Sequence, residues 1–276
     1  MKKINYGLFV SDFDGTLVSD NDTISEANKE AIERYVANGG RFAISTGRLP
    51  HAILYRAKEL GLKGAVSCCQ GALIVDIQTQ KLLHHGAIPF ETGIKICKKM
   101  EAMGLHTHLY DVWDFYTNVQ NENLELYERI TKTKGIYNPT KTLTEILREK
   151  AFNPCKFLTM VAPEDADKVL EELRAENFED CVVVKSASFL VEVNSAKYSK
   201  GTAVEFLANY YGVPLEKTVA CGDQMNDITM IEKAGLGIAV KNADESLKVK
   251  ADIVSEYTNN ENVIAKMIEK YGYTEG

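Results

Sequence analysis

The feature that most constrains this chain is an apolar run near its N-terminus that stops at two carboxylates. Residues 8–10 have the character of a buried β-strand, and Asp12 and Asp14 follow it two positions apart. Gly15 and Thr16 then turn the chain. Alternate residues of a strand share a side, so we expect both acids at the carboxyl end of the strand, where open α/β sheets bind their ligands.

Length and charge limit the classes of protein to which the chain can belong. Its 276 residues are enough for about two domains, since one domain typically has ~100–200 residues. The formal net charge is −7 and no dense run of lysine and arginine occurs, so we expect no nucleic-acid partner. The apolar run that follows Lys2 and Lys3 is too short for a secretory signal or a membrane span, so we expect a cytoplasmic protein that does not associate with membranes.

The cysteines also favour a reducing compartment. None of the six belongs to a Cys-x-x-Cys pair, and most have apolar neighbours, which is typical of reduced thiols in the core of a cytosolic protein. The adjacent Cys68 and Cys69 leave a redox pair open as an alternative.

The order of the predicted elements indicates one domain that is interrupted by another. Residues 1–85 and 193–276 alternate strands with helices, which predicts an α/β domain with a mainly parallel sheet. Residues 86–192 change to an α+β pattern with antiparallel strands, and within them a connector rich in proline, threonine and lysine is predicted at residues 136–144. A domain tolerates such an insertion when the two ends of the insert lie close together.

A second polar group follows the strand predicted at residues 41–45. Gly47 lets the backbone approach a ligand closely, and the N–H groups of a following helix together with the Thr46 hydroxyl suit an anion. A plain helix N-cap explains the same residues equally well. Arg48 either meets the anion or lies on the surface.

Lys200 stands in the first turn of a helix that Ser199 is predicted to cap. The helix dipole disfavours a cation in this position by roughly 0.3–1 kcal/mol, so the position is understandable where an anion lies beside the lysine. An exposed lysine that the helix merely tolerates is the alternative.

A fourth polar group follows the strand predicted at residues 219–221. Asp223 and Asp227 are four positions apart and Asn226 lies between them, and an acidic N-cap explains Asp223 alone but not the whole set. If these acids meet Asp12 and Asp14 at neighbouring strand ends, each like-charge pair at ~4 Å is unfavourable by on the order of 4 kcal/mol at an effective dielectric constant near 20.

A hard cation would remove this repulsion. Oxygen ligands with few histidines or cysteines favour Mg²⁺. A cation that is held by acids beside a lysine, a threonine hydroxyl and free N–H groups is typical of a site that handles phosphate.

At these four places the chain resembles the haloacid dehalogenase superfamily of phosphatases, and within it the Cof-type hydrolases with a large α/β cap. The matching segments are Asp12-Phe13-Asp14-Gly15-Thr16, Ser45-Thr46-Gly47-Arg48, Ser199-Lys200-Gly201 and Gly222-Asp223-Gln224-Met225-Asn226-Asp227, with a further match at Asn242-Ala243. The resemblance implies a Rossmann-like three-layer core (1–85 and 193–276) and an inserted cap (86–192). It also implies Mg²⁺-dependent hydrolysis of small phosphorylated metabolites, such as sugar phosphates or phosphorylated cofactors.

The resemblance further implies a role for each matching residue. Asp12 is the nucleophile that forms an aspartyl-phosphate, and Asp14 is the general acid and base. Mg²⁺ is held by Asp12, the Asp14 backbone carbonyl and Asp223, and Asp227 supports the metal shell. The groups implied to hold the phosphoryl group are the Phe13 backbone N–H, Thr46, Gly47, Lys200 and Asn226.

The chain departs from the family pattern at Gln70-Gly71, where an asparagine-glycine pair is frequent, and at residues 259–263, where a glycine-valine pair is usual. In the inserted part, the candidates for substrate contacts are His106, His108, Tyr110, Trp113, Phe115 and Tyr116. We expect the two histidines to form an exposed polar face rather than a metal pair, and the aromatic residues to pack inside the module rather than line a substrate site.

Two other functions remain open on the same residues. One is a phosphotransferase or phosphomutase, from which steady release of phosphate without an acceptor would distinguish a phosphatase. The other is a catalytically idle regulatory protein, although such a protein is expected to lack a nucleophile or a metal ligand and none is missing here.

Overall fold

The computed structural model describes residues 2–274 of the chain. Its backbone divides into two compact units. Unit 1 comprises Met1–Gly47, Leu54–Leu83 and Ser199–Gly276, and unit 2 comprises Arg48–Ile53 and His84–Tyr198. The assignment of residues 1–85 and 193–276 to a catalytic core and of residues 86–192 to a cap stays a prediction.

The regular elements are numbered in chain order. The strands are β1 (Leu8–Ser11), β2 (Arg41–Ile44), β3 (Ala65–Cys68), β4 (Leu73–Asp76), β5 (Leu82–His85), β6 (Thr107–Tyr110), β7 (Phe115–Thr117), β8 (Ile136–Tyr137), β9 (Lys156–Met160), β10 (Cys181–Ala187), β11 (Leu190–Ser195), β12 (Thr218–Gly222), β13 (Leu236–Ala239) and β14 (Ile253–Val254). The α-helices are α1 (Glu26–Ala37), α2 (Pro50–Glu59), α3 (Phe90–Ala102), α4 (Glu122–Thr131), α5 (Leu143–Lys150), α6 (Ala166–Ala175), α7 (Lys200–Tyr211), α8 (Ile228–Lys233), α9 (Glu245–Lys248) and α10 (Val263–Tyr271). Among the described residues, no helix is long and apolar enough to cross a membrane.

A five-stranded sheet forms the centre of unit 1. Its strands lie in the order β14-β13-β12-β1-β2, and every pairing between them is parallel. All residues of β1 and β12 are buried, so both faces of the sheet are covered at its centre, as a three-layer α/β fold requires. The predicted α/β fold with a mainly parallel sheet is confirmed.

The helices of unit 1 begin where the sequence places polar caps. The Ser25 side chain accepts a hydrogen bond from the Asn28 backbone N–H at the start of α1. Ser199 and Thr202 form a reciprocal capping box at the start of α7. These caps satisfy N–H groups that have no partner inside the helix, and they fix the residue at which each helix starts.

Unit 2 contains a six-stranded sheet with the order β10-β11-β9-β6-β7-β8. Its pairings are antiparallel except for the parallel pair β7 and β8, so the predicted α+β character with antiparallel strands is confirmed. The apolar core of this unit includes Ile96, Met100, Leu109, Phe157 and Leu173, each of which is fully buried.

The predicted connector at residues 136–144 is wrong in part. The segment contains the short strand β8, and the helix α5 starts at its end. Thr142 and Glu145 form a capping box at the start of α5, and Ile146 and Leu147 on its inner face are buried. The proline and polar residues before Thr142 suggested a loop, but this Thr-x-x-Glu pattern ahead of apolar residues was a readable signal for a helix start.

The expectation of an exposed face for His106 and His108 is also wrong. All four residues of β6 are buried because this strand lies in the sheet interior between β9 and β7. The Nε2 atoms of the two histidines are 3.2 Å apart, and the His108 ring stacks on Phe115. Tyr110 is buried as well, and its hydroxyl hydrogen-bonds Tyr127 at 2.6 Å, so the predicted aromatic packing inside the module is confirmed.

This packing predicts that acid destabilises unit 2. Burial lowers the pKa of His108 well below its ordinary value of 6.5, and His106 and Lys156 lower it further. As the pH falls below 6.5, His108 binds a proton in the unfolded chain but stays neutral in the folded chain. The free energy of unfolding therefore decreases by about 1 kcal/mol at pH 5.5 from this residue alone. Urea unfolding followed by Trp113 fluorescence, at pH 7.5 and pH 5.5, measures the decrease.

In a His108→Gln variant, the free energy of unfolding is expected to decrease by about 1 kcal/mol less than in the wild type between pH 7.5 and pH 5.5, whatever the stability of the variant at pH 7.5. His51→Gln, which removes an exposed histidine, serves as the matched control and is expected to keep the wild-type difference. An unchanged pH dependence in His108→Gln would contradict the assignment.

Candidate active site

Three neighbouring strands of unit 1 end at the same edge of the parallel sheet. The Asp12 N–H donates to the Cys221 carbonyl of β12 at 2.8 Å, and the Ser45 N–H donates to the Ser11 carbonyl of β1 at 2.9 Å. The residues that follow β12, β1 and β2 therefore leave the sheet side by side. This arrangement brings Asp223, Asp12 and Thr46 to one edge, where the sequence predicted a ligand site.

A cluster of three carboxylates lies at this edge. Asp12, Asp223 and Asp227 are all buried, and each offers one oxygen that lies within 4.8 Å of the others. The Lys200 ammonium lies among them and is only 1 % exposed. Its Nζ donates to Asp12 Oδ1 and to Asp227 Oδ1, both at 2.5 Å.

The electrostatics of this acidic cluster follow from burial. Removal from water raises the pKa of Asp12 well above its usual range, Lys200 opposes this effect, and the neighbouring carboxylates add to it. Burial and the Asp227 charge raise the pKa of Asp223 to about 6. Burial alone would lower the pKa of Lys200, but Asp12 and Asp227 outweigh it and raise that pKa above the ordinary value. The lysine is therefore a permanent cation at this position.

Asp227 holds the loop and the lysine in place. Its Oδ2 accepts from the backbone N–H groups of Asp223 at 2.9 Å and Gln224 at 3.0 Å, while its Oδ1 accepts from Lys200. A Cβ on Gly222 would lie 2.5 Å from the Asp227 Cβ, so only glycine allows this close approach. Both Asp227 oxygens have protein donors, and the side chain therefore fixes the positions of the Asp223 backbone and of Lys200.

Asp223 is fixed by two side chains and by one glycine. Thr16 Oγ1 donates to its Oδ1 and Gln224 Nε2 donates to its Oδ2, each at 3.2 Å. Gly15 has a left-handed φ of +75°, and a Cβ there would lie 2.3 Å from Asp223 Oδ2. Glycine is needed at position 15 on both counts, for the turn and for the approach of the carboxylate.

The donor set suits a divalent cation. Three buried carboxylates face one ammonium in the acidic cluster, so the negative charge is in excess when all three acids are ionised. Carboxylate oxygens are the ligands that Mg²⁺ prefers, and a bound cation would remove the repulsion that raises the Asp12 and Asp223 pKa values. Asp12 and Asp223 are suited to bind such a cation, and Asp227 supports them.

Phe13 and Asp14, the two residues after Asp12, differ in their exposure to solvent. The Phe13 side chain is fully buried, and its carbonyl accepts from the N–H groups of Leu17 at 3.1 Å and Val18 at 3.0 Å. The Asp14 residue is exposed, and its side chain is not part of the acidic cluster. The roles of the Phe13 N–H, of the Asp14 carbonyl and of the Asp14 carboxyl stay predictions.

Thr46 and Gly47 lie in the loop between β2 and α2. The helix α2 begins at Pro50, and a proline at that position has no N–H to offer an anion. Thr46 is buried, and its own N–H donates to the Ser67 carbonyl at 3.0 Å. An anion at this loop would therefore rely on the loop itself rather than on the dipole of α2.

Lys200 occupies the first turn of α7, as predicted from its position after the Ser199 cap. Gly201 allows this turn to lie close to the neighbouring chain, because a Cβ there would be 2.5 Å from the Thr229 carbonyl oxygen. Its N–H donates to Thr229 Oγ1 at 3.1 Å. Two buried carboxylates offset the unfavourable dipole at Lys200, so the alternative of a merely tolerated exposed lysine is wrong.

Several supporting residues were not predicted. Asn242 Nδ2 donates to the Gly15 carbonyl at 2.8 Å, and its Oδ1 accepts from the Asn259 N–H at 3.0 Å. Asn259 Nδ2 reaches back to the Val18 carbonyl at 3.0 Å, so the two asparagines tie down the loop that follows β1. Gln70 accepts from Asn226 Nδ2 at 3.0 Å. The family match at Asn242 indicated that this residue matters, but its contacts with Gly15 and Asn259 could not be predicted from the sequence.

The fold and the acidic cluster are typical of one class of protein, α/β enzymes that handle phosphate at the carboxyl edge of a parallel sheet. The family profile of haloacid dehalogenase-like hydrolases matches residues 9–268, and the chain belongs to this family. The resemblance that the four motifs indicated is confirmed.

Relatives of known name support the same class. Phosphatase YwpJ of Bacillus subtilis is 29% identical over 282 residues, which cover 95% of this chain and 98% of the relative. The 5-amino-6-(5-phospho-D-ribitylamino)uracil phosphatase YcsE of Bacillus subtilis is 29% identical over 97% of this chain and 96% of its own length. The structure of a haloacid dehalogenase-like hydrolase from B. subtilis superposes with a TM-score of 0.85 at 28% identity, covering 95% of this chain and 99% of that one. The chain is an enzyme of the phosphoric monoester hydrolase class.

Proposed function

We propose that this chain is a Mg²⁺-dependent phosphatase that hydrolyses small phosphorylated metabolites through an aspartyl-phosphate on Asp12. One observation carries the proposal. Asp12 is buried at the end of β1, 2.5 Å from the Lys200 ammonium and within 4.8 Å of Asp223 and Asp227. A carboxylate that is withdrawn from water beside a permanent cation is weakly solvated, and a bound divalent cation would favour its ionised form, which suits a nucleophile.

The first chemical step transfers the phosphoryl group to the enzyme. An Asp12 carboxylate oxygen forms a bond to phosphorus as the bond from phosphorus to the leaving oxygen breaks. The protonated Asp14 carboxyl gives its proton to that leaving oxygen, so the dephosphorylated product departs as an alcohol. Lys200 neutralises charge at Asp12 and at the phosphoryl oxygens, which favours in-line attack by one anion on another.

The second step releases phosphate. A water molecule forms a bond to phosphorus, the Asp14 carboxylate accepts a proton from that water, and the bond between phosphorus and the Asp12 oxygen breaks. Asp12 returns as a carboxylate and Asp14 as an acid, so the enzyme is ready for another cycle. Thr46, Gly47, Asn226 and the Phe13 N–H are proposed to hold the phosphoryl oxygens through both steps.

The residues that would hold Mg²⁺ are Asp12, Asp223 and the Asp14 carbonyl, with Asp227 in support. When bound, Mg²⁺ would neutralise phosphoryl charge as a Lewis acid. Asp223 would bind such a cation as a carboxylate. Thr16 and Gln224 each donate to one of its oxygens and would hold the side chain in place for that role.

The substrate class is proposed from the relatives. The relative YcsE is named for a phosphorylated ribitylamino derivative of uracil, which is a polyol phosphate carried on a pyrimidine ring. A sugar phosphate or a phosphorylated cofactor is the corresponding class for this chain. We also propose a cytoplasmic location, since all six cysteines are free and a reducing compartment keeps them so.

Purified protein is expected to release inorganic phosphate from a panel of sugar and polyol phosphates when Mg²⁺ is present and no acceptor is added. Removal of the metal with EDTA is expected to lower the rate by about 10³-fold or more, because metal charge supplies several kcal/mol of transition-state stabilisation. A coupled phosphate assay over the panel measures both effects, and added Mg²⁺ is expected to restore the rate.

The same panel separates the alternatives. Release that requires an added alcohol or sugar acceptor would identify a phosphotransferase instead of a phosphatase. Hydrolysis of nucleotides alone would contradict the proposed substrate class. An absence of phosphate release from every ester, including a generic aryl phosphate, would contradict the function itself.

A further inference from the structure

The turn Cys69–Gly71 has an unusual backbone. Its three residues have φ angles of 47°, 58° and 95°, so all three lie in the left-handed region. Glycine adopts this region readily, but Cys69 and Gln70 do so only at the expense of contacts between Cβ and the backbone. Strained residues of this kind persist where surrounding structure imposes them, and they are frequent at functional sites.

This left-handed turn lies against two of the four motifs. The Gln70 N–H donates to the Thr46 carbonyl at 3.0 Å, and a Cβ on Gly47 would lie only 2.6 Å from Gln70 Nε2. On the other side, a Cβ on Gly71 would lie 2.1 Å from the carbonyl oxygen of Ser199, which caps the helix α7. The turn therefore packs tightly between the Thr46–Gly47 loop and the start of α7.

The Gln70 side chain connects this turn to a third motif. Its Oε1 accepts a hydrogen bond from Asn226 Nδ2 at 3.0 Å. The other end of the same amide, Asn226 Oδ1, is buried and has no hydrogen-bond partner among the described residues. An amide side chain carries its donor nitrogen and its acceptor oxygen on one rotatable group. The bond to Gln70 therefore determines the directions in which Nδ2 and Oδ1 of Asn226 point.

We propose that Gln70 is a positioning residue that fixes the side-chain amide of Asn226 for binding of a phosphoryl group. The inference rests on the proposed function, in which Asn226 holds phosphoryl oxygens. One of the two Nδ2 hydrogens goes to Gln70, and the second remains available to an anion. Without Gln70 the amide can turn over and present its oxygen, which repels a phosphoryl oxygen.

The first test replaces Gln70 with glycine. Gln70→Gly removes the acceptor for Asn226 and also suits the left-handed backbone, so the melting temperature is expected to stay level or rise. The affinity for inorganic phosphate in the presence of Mg²⁺, measured by calorimetry, is expected to fall about tenfold. A merely structural role would lower both quantities together, and unchanged phosphate affinity would overturn the proposal.

Gln80 provides a matched control. It is also a glutamine with a φ of 58°, but it is exposed in the turn between β4 and β5. Gln80→Gly therefore makes the same chemical change and the same backbone relief away from the acidic cluster. We expect it to change the melting temperature in the same direction and to leave the phosphate affinity unchanged. A tenfold loss in this control as well would overturn the proposal.

A double-mutant cycle tests whether Gln70 acts through Asn226. In an Asn226→Ala background, Gln70→Gly is expected to lower phosphate affinity by less than twofold, because the group that it positions is already gone. A full tenfold loss in that background would overturn the proposal. Absence of wild-type phosphate binding would overturn it too. The cycle needs no turnover, so a failure of the proposed phosphatase activity is recognised separately, in the assay over phosphate esters.

Discussion

Asp12→Asn is expected to lower kcat by at least about 10⁴-fold, because an amide oxygen is a poor nucleophile and cannot form the proposed aspartyl-phosphate. The substitution keeps the size of the side chain, and it removes a carboxylate that burial and three acidic neighbours already disfavour. The folded state is therefore expected to persist. Steady-state phosphate release with Mg²⁺, together with a thermal unfolding scan, separates loss of chemistry from loss of structure.

Two controls make this result interpretable. Asp20→Asn changes an exposed acid on the same connection between β1 and α1, and it is expected to keep wild-type turnover. Mass spectrometry of the Asp12→Asn protein checks that the asparagine has not reverted to aspartate by deamidation. Turnover near the wild-type rate in an intact Asp12→Asn protein would exclude Asp12 as the nucleophile.

Lys200→Met is expected to have the second largest effect, on stability as well as on rate. Removal of one partner from a buried ion pair typically lowers the free energy of unfolding by about 3–5 kcal/mol, and here two carboxylates, those of Asp12 and Asp227, lose their cation. The pKa of Asp12 is expected to rise further, since Lys200 is the group that opposes the effect of burial. The protonated acid cannot attack phosphorus, so phosphate release is expected to fall by at least about 10³-fold.

The pH dependence of this loss has a definite sign. An acid whose pKa is higher in the folded state takes up a proton on acidification before the unfolded chain does, so acid stabilises the fold relative to the unfolded state. The stability deficit of Lys200→Met in EDTA is therefore expected to be larger at pH 8 than at pH 6, as urea unfolding will measure. Lys233→Met, which breaks a half-exposed ion pair with Glu205, is the control and is expected to lose at most about 1 kcal/mol at both pH values. A deficit in Lys200→Met that grows toward pH 6 would contradict this assignment.

The arrangement of the acidic cluster was predictable from the sequence because the geometry of a parallel sheet is restrictive. Asp12, Thr46 and Asp223 each follow a short apolar strand, and the carboxyl ends of parallel strands share one edge. The position of Lys200 was equally informative, since a cation in the first turn of a helix indicates a nearby anion. These inferences depend on the direction of the strands and on the dipole of a helix. Both follow from the elements that a single sequence predicts.

Contacts between distant segments could not be predicted in the same way. His108 was expected at an exposed face, but its burial depends on β6 lying between β9 and β7, which is a property of strand order. Gln70, in its left-handed conformation, hydrogen-bonds the Thr46 carbonyl and Asn226, while the adjacent Gly71 lies against the Ser199 carbonyl. These contacts come from three separate segments. Local propensity favours glycine or asparagine for such a conformation and gives no indication of it at glutamine.

The most direct measurement is chemical trapping of the intermediate. Enzyme that is quenched in acid during turnover of a phosphate ester, reduced with borohydride and digested, carries homoserine wherever an aspartyl-phosphate stood. We expect homoserine at position 12 and nowhere else, and none in enzyme that was quenched before substrate was added. Full turnover with position 12 unmodified, or with the modification on another residue, would show that phosphorus never bonds to Asp12.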